Sequence, residues 1–172
     1  MTGGEPTFQP RMAEALLRLA RIHGLTTVME TTGNTRWKVL ERLLPYLDLL
    51  LYDIKHIDPA VHKAYTGMDN TLILSNLSRL AAQEVPVEVR VPLIPGFNTD
   101  KASLGAICDF LVEQDGLDRA LTLLPYHTYG QSKYVSLGRE YPYEGQLLLT
   151  EEQVNELANV AASRGFRVTV GG

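Results

Sequence analysis

Three ionisable residues stand together at one point of the chain, where Asp53, Lys55 and His56 end an apolar run that covers positions 49–52. An apolar run of this length between polar residues predicts a buried parallel strand, here over 47–55. Because strand side chains alternate between faces, Asp53 and Lys55 should share one side, roughly 6–7 Å apart along the strand. A carboxylate and an ammonium at the carboxyl end of a buried strand are suited to ligand binding or proton transfer.

More polar residues are expected at the same rim, because other predicted strands also end near an ionisable residue. Glu30 ends a β-prone run, Arg90 lies near the end of a valine-rich run, and His127 follows a fourth run. The carboxyl ends of parallel strands meet on one rim, and both signs of charge suit a polar, zwitterionic small molecule. The candidate site residues are Gly3, Gly4, Glu5, Glu30, Asp53, Lys55, Arg90 and His127.

The elements that must position these residues alternate regularly. Hydrophobic periodicity predicts helices over 8–23, 37–44, 59–65, 71–83, 101–114 and 151–164, and strands over 25–30, 47–55, 85–91, 120–124 and 166–170. This order predicts an α/β fold with a parallel sheet and right-handed crossovers. Five strands rarely close a parallel barrel, and no strand precedes the glycine loop at residue 3. We therefore expect residues 1–172 to form one domain, the later part of a larger barrel.

Finer features of these elements also follow from the pattern. Leu72, Leu74, Leu77 and Leu80 are expected to face the core from the helix over 71–83. Thr150 and Gln153 form a capping box for the last helix. The segment 128–149 is rich in tyrosine and glycine, and its length favours a lid or binding loop.

Composition excludes several classes of function. The chain has 172 residues and a net charge of −4, and its cations are scattered, which argues against nucleic-acid binding. No apolar run approaches the roughly 18–20 residues of a membrane span, and the amino terminus lacks a signal-peptide pattern, so a cytoplasmic location is expected. Cys108 is the single cysteine, which excludes an internal disulfide and a cluster held by cysteines of this chain. Its apolar helical context predicts a packing role.

Structural roles compete with the functional ones at the charged rim. Asp53 and Lys55 can form an ion pair that closes their strand into its loop. Arg90 can equally be the partner of Glu88, which shares its face of the strand, or of Glu30.

The remaining conspicuous residues have structural alternatives as well. His127 can bond to a backbone carbonyl in its turn, although its place just after a strand favours a site role. His23 and His62 lie on predicted helices and are expected to be solvated, whereas His56 is open to either interpretation. Trp37 is expected in the core.

Seven segments of the chain carry a resemblance to a known family. They are Thr2-Gly-Gly-Glu-Pro6, Glu30-Thr-Thr-Gly33, Tyr52-Asp-Ile-Lys55, Tyr65-Thr-Gly67, Arg90-Val-Pro-Leu-Ile-Pro-Gly96, Leu124-Pro-Tyr-His127 and Gly130-Gln-Ser-Lys-Tyr134. In this order they resemble the motifs of glycyl-radical-enzyme activating enzymes, the radical S-adenosylmethionine (radical SAM) enzymes of the pyruvate formate-lyase activating type. The resemblance covers essentially the whole chain and implies a partial (β/α)6 barrel that binds SAM across its open end.

The resemblance also implies roles for the amino-terminal candidates. Gly3, Gly4 and Glu5 would hold the methionyl amino group of SAM with backbone and carboxylate oxygens. Glu30 would assist, at a position where many relatives have aspartate.

Roles for the other four candidates come from the same resemblance. Asp53, Lys55 and His127 would engage the methionyl carboxylate, the ribose and an associated cation. Arg90 would lie near the nucleoside or the incoming substrate loop. A zwitterionic amino-acid tail does require both signs of charge at short range.

The chain departs from the family in one respect. The family holds a [4Fe-4S] cluster with a Cys-x3-Cys-x2-Cys motif, and this sequence has none. We therefore expect a carboxyl-terminal portion of an activating enzyme, from a truncated or split gene, that is inactive alone. The intact protein would cleave SAM reductively to a 5′-deoxyadenosyl radical in anaerobic metabolism. It would take a hydrogen atom from a glycine of a partner such as pyruvate formate-lyase, with flavodoxin or ferredoxin as electron donor.

Three other hypotheses stay open from the sequence. In one, the chain is a small-barrel lyase in which Lys55 forms a Schiff base while Asp53 and His127 move protons, as in aldolases. In another, it is a non-catalytic module that keeps a SAM-binding rim. Independently, an uncovered β edge at 26–30 predicts pairing between two copies of the chain.

Overall fold

The computed structural model describes residues 1–128, 131–140, 145 and 148–171. The strands within them are β1 (Val28–Thr31), β2 (Leu49–Asp53), β3 (Val87–Leu93), β4 (Ala120–Pro125) and β5 (Arg167–Val170). The α-helices are α1 (Pro10–Ile22), α2 (Trp37–Leu43), α3 (Pro59–Thr66), α4 (Thr71–Leu80), α5 (Lys101–Val112), α6 (Gln131–Ser136) and α7 (Glu151–Ala162). Short 3-10 turns occupy Pro6–Phe8 and Leu44–Tyr46.

The five strands form one sheet in the order β1-β2-β3-β4-β5, and every neighbouring pair is parallel. At least one helix lies between each strand and the next, so every connection is a crossover that returns the chain to the same end of the sheet. The predicted α/β fold with a parallel sheet flanked by helices is confirmed, with element bounds that differ by a few residues.

The two faces of the sheet differ in burial. Met29, Leu50 and Tyr52 on one face are fully buried. Glu30 and Asp53 on the opposite face are half-buried. The difference follows from the alternation of strand side chains, because the helices among the described residues cover only one face. The polar residues near the strand ends therefore open onto the uncovered face.

Helix α4 buries a different set of residues from the predicted one. Leu77 and Leu80 are buried as expected, but Leu72 is exposed and Ile73 takes the inward position. The observed inward spacing of 73, 77 and 80 is the 4-3 spacing of one helical face, and Leu72 is turned by about 100° from Ile73. The prediction for Leu72 was wrong because a leucine-rich helix offers two possible apolar faces.

Helix α1 presents a second apolar face that the described residues leave uncovered. Ala13 and Leu17 are buried on its inner side. Four large apolar side chains on its other sides are exposed: Met12, Leu16, Leu19 and Ile22. The large apolar side chains of this helix therefore lie mainly on its exposed side. The short side chain of Ala13 lets the helix approach its neighbours closely.

The other predicted details can be compared directly. The Thr150–Gln153 capping box is present at the start of α7. The predicted loop 128–149 contains the short helix α6, while residues 129–130, 141–144 and 146–147 lie outside the described ones, so its role as a lid stays a prediction. Trp37 is half-buried against the core rather than inside it, with the Arg79 guanidinium 5.6 Å from its ring centre. Within the described part of the chain, no helix is long and apolar enough to span a membrane.

The outer edge of β1 is occupied in part by the amino-terminal residue. The Met1 ammonium donates a hydrogen bond to the Val28 carbonyl, and the Glu30 amide donates to the Met1 carbonyl at 3.0 Å. One residue thus takes up two backbone groups that β1 turns away from β2.

Candidate functional site at the carboxyl rim of the sheet

Four charged side chains form one network across the first three strands. The Arg90 guanidinium contacts Glu30 and lies 3.3 Å from Asp53 Oδ1, and the Lys55 ammonium lies 3.2 Å from Asp53 Oδ2. Their side chains are between 13% and 31% exposed, so they are partly withdrawn from water yet reachable from the uncovered face. Charge pairs in such a position are stronger than surface pairs because solvent screens them less.

Strand register explains how these residues meet. Asp53 lies beside Arg90 in the β2–β3 register, and Glu30 lies beside Leu51 in the β1–β2 register, one step of the same face from Asp53. The prediction placed the end of this strand at Lys55, but β2 ends at Asp53. Lys55 still reaches the same side of the sheet, where it contacts Asp53.

The structure decides between the alternatives for the charged residues. Asp53 and Lys55 form the expected ion pair, and Arg90 pairs with Glu30. The Glu88 carboxylate is instead bonded to Thr122, whose hydroxyl donates to it at 2.8 Å. These contacts leave a ligand-binding role open, because each pair joins charges that could also face a ligand.

The Glu5 carboxylate is directed at the loop after β1. One oxygen accepts hydrogen bonds from the Thr7 amide and hydroxyl and from the Thr31 hydroxyl, and the other accepts from the amide and hydroxyl of Thr32, all at 2.7–3.1 Å. Burial raises the pKa of Glu5, but the hydrogen bonds from Thr32, Thr31 and Thr7 outweigh it and lower the pKa below its usual range. With five donors on its two oxygens, this side chain anchors the glycine-rich loop.

Gly3 and Gly4 bring backbone rather than side chains to the rim. Both have a left-handed backbone, with φ of +90° and +92°, and both are exposed. An added Cβ would meet no atom within 4 Å at either position, so backbone conformation is what favours glycine here. The neighbouring Thr2 hydroxyl donates to Glu30, which ties this segment to the charged network.

A pocket of about 210 Å³ opens beside the network, between the loop after β1 and helices α3 and α4. Its polar wall includes Glu5, Asp53 and Lys55, and its apolar wall includes Met68 and Ile73. Complete small-molecule sites usually enclose roughly 300–1,000 Å³, so this pocket suits one end of a ligand whose remainder lies over the open face.

His62 is a pocket residue that the sequence analysis placed wrongly in solvent. It is 4% exposed and lines the pocket, with Nδ1 2.7 Å from the Met68 carbonyl and 3.0 Å from the Thr66 hydroxyl. Because a carbonyl only accepts hydrogen bonds, Nδ1 carries a proton and donates it to Met68. Burial lowers the pKa of His62 and outweighs the hydrogen bond to Met68, which raises the pKa, while the charges of Lys55 and His56 lower the pKa further. The helical pattern gave no sign of this, since it does not show which loop covers the helix.

The other histidines divide as follows. His56 has a structural role: its Nδ1 accepts the Asp58 amide at 3.0 Å, and its ring stacks on Phe97 with centroids 5.5 Å apart. His23 is exposed, as expected. His127 lies exposed, two residues beyond the end of β4, and its site role stays a prediction.

The cysteine content bears on an iron–sulfur cluster. Cys108, the only cysteine of the sequence, is fully buried in α5, and burial raises the pKa of its thiol to about 11. Among the described residues, no group of three or more His, Cys, Asp or Glu side chains could hold a metal ion. The residues of this chain do not fit a [4Fe-4S] cluster, which needs at least three thiolates in the form that leaves one iron open.

Parallel strands with crossover helices and a charged rim at their carboxyl ends define a barrel-type α/β protein with a candidate site for a polar ligand at that rim. The comparisons with known proteins give this class a family. A family profile described as Radical SAM superfamily matches residues 1–104. The chain therefore belongs to the radical SAM superfamily.

Two curated relatives show which kind of radical SAM enzyme the chain is similar to. The chain is 39% identical to the choline trimethylamine-lyase activating enzyme of Oleidesulfovibrio alaskensis over 98% of its own length and 55% of that protein. It is 43% identical to the isethionate sulfite-lyase activating enzyme of Nitratidesulfovibrio vulgaris, over 94% of its own length and 52% of that protein. The chain thus spans about half the length of the curated relatives it matches.

A solved structure has a similar fold, and the match covers all of this chain and nearly all of that one. It is a domain of a pyruvate-formate lyase-activating enzyme from Bacteroides vulgatus, with a TM-score of 0.83 and 27% sequence identity. The match covers 100% of this chain and 97% of that chain. The resemblance read from the sequence motifs is confirmed at the level of the family and of the kind of relative.

Proposed function

We propose that residues 1–172 form the SAM-binding part of a glycyl-radical-enzyme activating enzyme and fold as one domain. The observation that carries this proposal is the rim network, in which two carboxylates and two cations alternate on the open face of a radical SAM sheet. A methionyl tail carries one ammonium and one carboxylate, so each end finds groups of opposite charge within this network. The activating enzymes among the relatives support the same assignment.

In this proposal different charged residues bind the two ends of the methionyl tail. Glu30 and Asp53 accept hydrogen bonds from the amino group, and Lys55 and Arg90 donate to the carboxylate. Because Arg90 already holds two carboxylates in place, little rearrangement is needed on binding, which reduces the entropy lost. His127, just beyond β4, would complete the site towards the ribose.

The glycine-rich segment acts mainly through its backbone. The Glu5 carboxylate is occupied by its threonine donors, so within this segment the carbonyl oxygens of Gly3 and Gly4 are the acceptors that can join Glu30 and Asp53 in binding the amino group. Glu5 would then fix the shape of this segment instead of contacting the ligand, which differs from the role that the resemblance implies.

The cluster has to be held by residues outside this chain, because a single buried cysteine cannot supply its thiolates. The proposed activity of the intact protein is hydrogen abstraction from a glycine of a glycyl radical enzyme, with SAM as the source of the radical and flavodoxin or ferredoxin as the electron donor. The relatives are named for different partners, and the default for this chain is pyruvate formate-lyase or a relative. A cytoplasmic location belongs to the same proposal.

The Schiff-base lyase is less well supported. The Lys55 side chain lies 3.2 Å from the Asp53 carboxylate and so is already engaged in the rim network that the proposal assigns to SAM. The radical SAM family and the named relatives provide no support for an aldolase either.

Calorimetric titration of the chain with SAM tests the proposal. Lys55→Met and Asp53→Asn should each weaken binding by about tenfold or more, because each removes a charged hydrogen-bonding group. Lys38→Met, an exposed lysine of α2, is the matched control and should leave affinity unchanged. Absence of SAM binding by the folded wild-type chain, or equal affinities in all variants, would refute the assignment.

Association through the β1 edge remains part of the proposal. Met1 bonds the outward groups Val28 O and Glu30 N–H, but a single residue covers only part of an edge. We expect a concentration-dependent dimer in sedimentation, with slow exchange of the Val28 amide at high concentration. A monomer at all concentrations, with a rapidly exchanging Val28 amide, would contradict edge pairing.

A further inference from the structure

Asn98 is a buried polar residue that joins the ends of β2 and β3. It is 0% exposed, and its side-chain amide donates to the carbonyls of Lys55 at 2.8 Å and Pro92 at 2.7 Å. Its Oδ1 accepts the Ile94 amide at 2.7 Å. Three hydrogen bonds thus connect one side chain to the backbone of Lys55, just beyond β2, and to the backbone of Pro92 and Ile94 at the end of β3.

Pro92 explains why such a connection is needed. The last ladder bond between these strands runs from the Ile54 amide to the Arg90 carbonyl at 2.9 Å. In a parallel ladder the next bond would be donated by the backbone N–H of residue 92 to the Ile54 carbonyl, and proline has no N–H. The ladder therefore stops one residue before Lys55. The Pro92 carbonyl, next in line to accept from β2, is bonded by Asn98 instead.

We propose that Asn98 is a positioning residue for Lys55, which replaces the missing ladder bonds and holds the lysine backbone where its ammonium meets Asp53. Lys55 lies beyond the end of β2, so neither the sheet nor a helix fixes it. Without the Asn98 bond, the next side-chain anchors of this backbone would be the bonds from Asn70 to His56 and Ile57, which lie beyond Lys55, and the ammonium would leave the rim network.

Two other buried asparagines provide a comparison. Asn76 donates to the carbonyls of Gly33 and Thr35 at 2.8 and 2.7 Å, and Asn70 donates to those of His56 and Ile57 at 2.7 Å. Asn76 is therefore a matched control. It is also buried, and its amide likewise donates to two backbone carbonyls, but these belong to a loop that does not contain Lys55.

The direct test is the NMR spectrum of lysine-labelled protein, which needs no ligand. The chain has five lysines, so the side-chain signal of Lys55 can be assigned by its loss in Lys55→Arg. Asn98→Asp keeps the shape of the side chain but turns its two donors into acceptors facing two carbonyls. We expect the Lys55 signal to move towards those of the exposed lysines in Asn98→Asp and to stay in place in Asn76→Asp. An unmoved signal in Asn98→Asp, or an equal movement in both variants, would overturn the proposal.

A second pair of variants decides the matter if Asn98→Asp does not fold. Pro92→Ala restores the backbone donor that the ladder lacks. The double variant Pro92→Ala/Asn98→Ala should then fold, with the Lys55 signal closer to its wild-type position than in Asn98→Ala. A double variant that is unfolded, or that shows no such return, would count against the proposal.

One further arm rests on the proposed function. If Lys55 binds SAM, Asn98→Asp should weaken SAM binding by about tenfold or more, since small displacements of a binding group are costly. Asn76→Asp should change it much less. Failure of the wild-type chain to bind SAM would remove the proposed function but leave the NMR result on Lys55 intact.

Discussion

Replacement of Gly33 by alanine should be among the most destabilising single changes in the chain. Gly33 follows β1 with a left-handed φ of +69°, and an added Cβ would lie 1.7 Å from the Tyr52 hydroxyl oxygen, 2.1 Å from Cζ and 2.5 Å from Cε2. Tyr52 cannot easily move away, because it is fully buried and its hydroxyl donates to the Ile73 carbonyl at 2.8 Å. The loop that anchors Glu5 depends on this contact.

Two independent costs set the expected magnitude. A left-handed conformation costs a non-glycine residue about 1–2 kcal/mol, and the forced displacement of a buried ring costs about 1–3 kcal/mol. Together they lower the free energy of unfolding by about 2–5 kcal/mol, a large share of the roughly 5–15 kcal/mol typical of a folded protein. For a chain of this length, the melting temperature should fall by about 4–20 °C.

Urea unfolding followed by circular dichroism can separate the two costs. Gly33→Ala is measured in the wild type, in Tyr52→Phe and in Tyr52→Leu. Phenylalanine keeps Cζ and Cε2, so the penalty should stay near its wild-type value. Leucine lacks the ring atoms that collide, so only the left-handed cost of about 1–2 kcal/mol should remain. Equal penalties in all three backgrounds would refute the steric reasoning.

Three further expectations concern titratable groups. Hydrogen bonds lower the pKa of Glu5 below its ordinary value of 4.5, so they stabilise the folded protein above pH 4.5, and this stabilisation is lost as the pH falls through the lower pKa of the folded state. In urea unfolding, the free-energy difference between the wild type and Glu5→Gln should therefore become smaller in acid. Burial lowers the pKa of His62, so the unfolded chain binds a proton at a higher pH than the folded one, and the free energy of unfolding should fall as the pH drops below 6.5. His62→Asn should not show this fall, and its amide can still donate a hydrogen bond to Met68. Burial raises the pKa of Cys108 to about 11, so a thiol reagent at pH 8 should label the native protein far more slowly than the urea-unfolded one; rapid native labelling would contradict this.

The sequence predicted the part of the site that depends on simple periodicity. The placement of Asp53, Lys55 and Arg90 at one rim follows from alternation within strands and from parallel order between them. Both rules act through the backbone and need little knowledge of the surroundings. The charged network was therefore accessible, including the possible Asp53–Lys55 pair, but the choice of Glu30 over Glu88 as the partner of Arg90 was not, because strand register is set by the whole sheet.

The remainder depends on contacts between distant parts of the chain. His62 is covered by the loop around Met68. Asn98 has a structural role only because Pro92 interrupts the hydrogen-bond ladder between β2 and β3. Glu5 resembles a ligand contact in the motif but is directed at threonines more than 20 residues away. Polar residues of this kind look solvated in a one-dimensional pattern, and only the packed fold shows that they are buried and bonded.

The composition of the rim network has a consequence for how a ligand arrives. Glu30 and Asp53 bring two negative charges, and Lys55 and Arg90 bring two positive ones, so the cluster is neutral as a whole while strongly polar within a few ångströms. Its field cancels at distances beyond a Debye length, about 8 Å at physiological ionic strength. Such a site exerts no long-range pull on either anions or cations. Recognition begins only at contact, through the pattern of charges, and affinity for a zwitterionic tail should vary little with added salt.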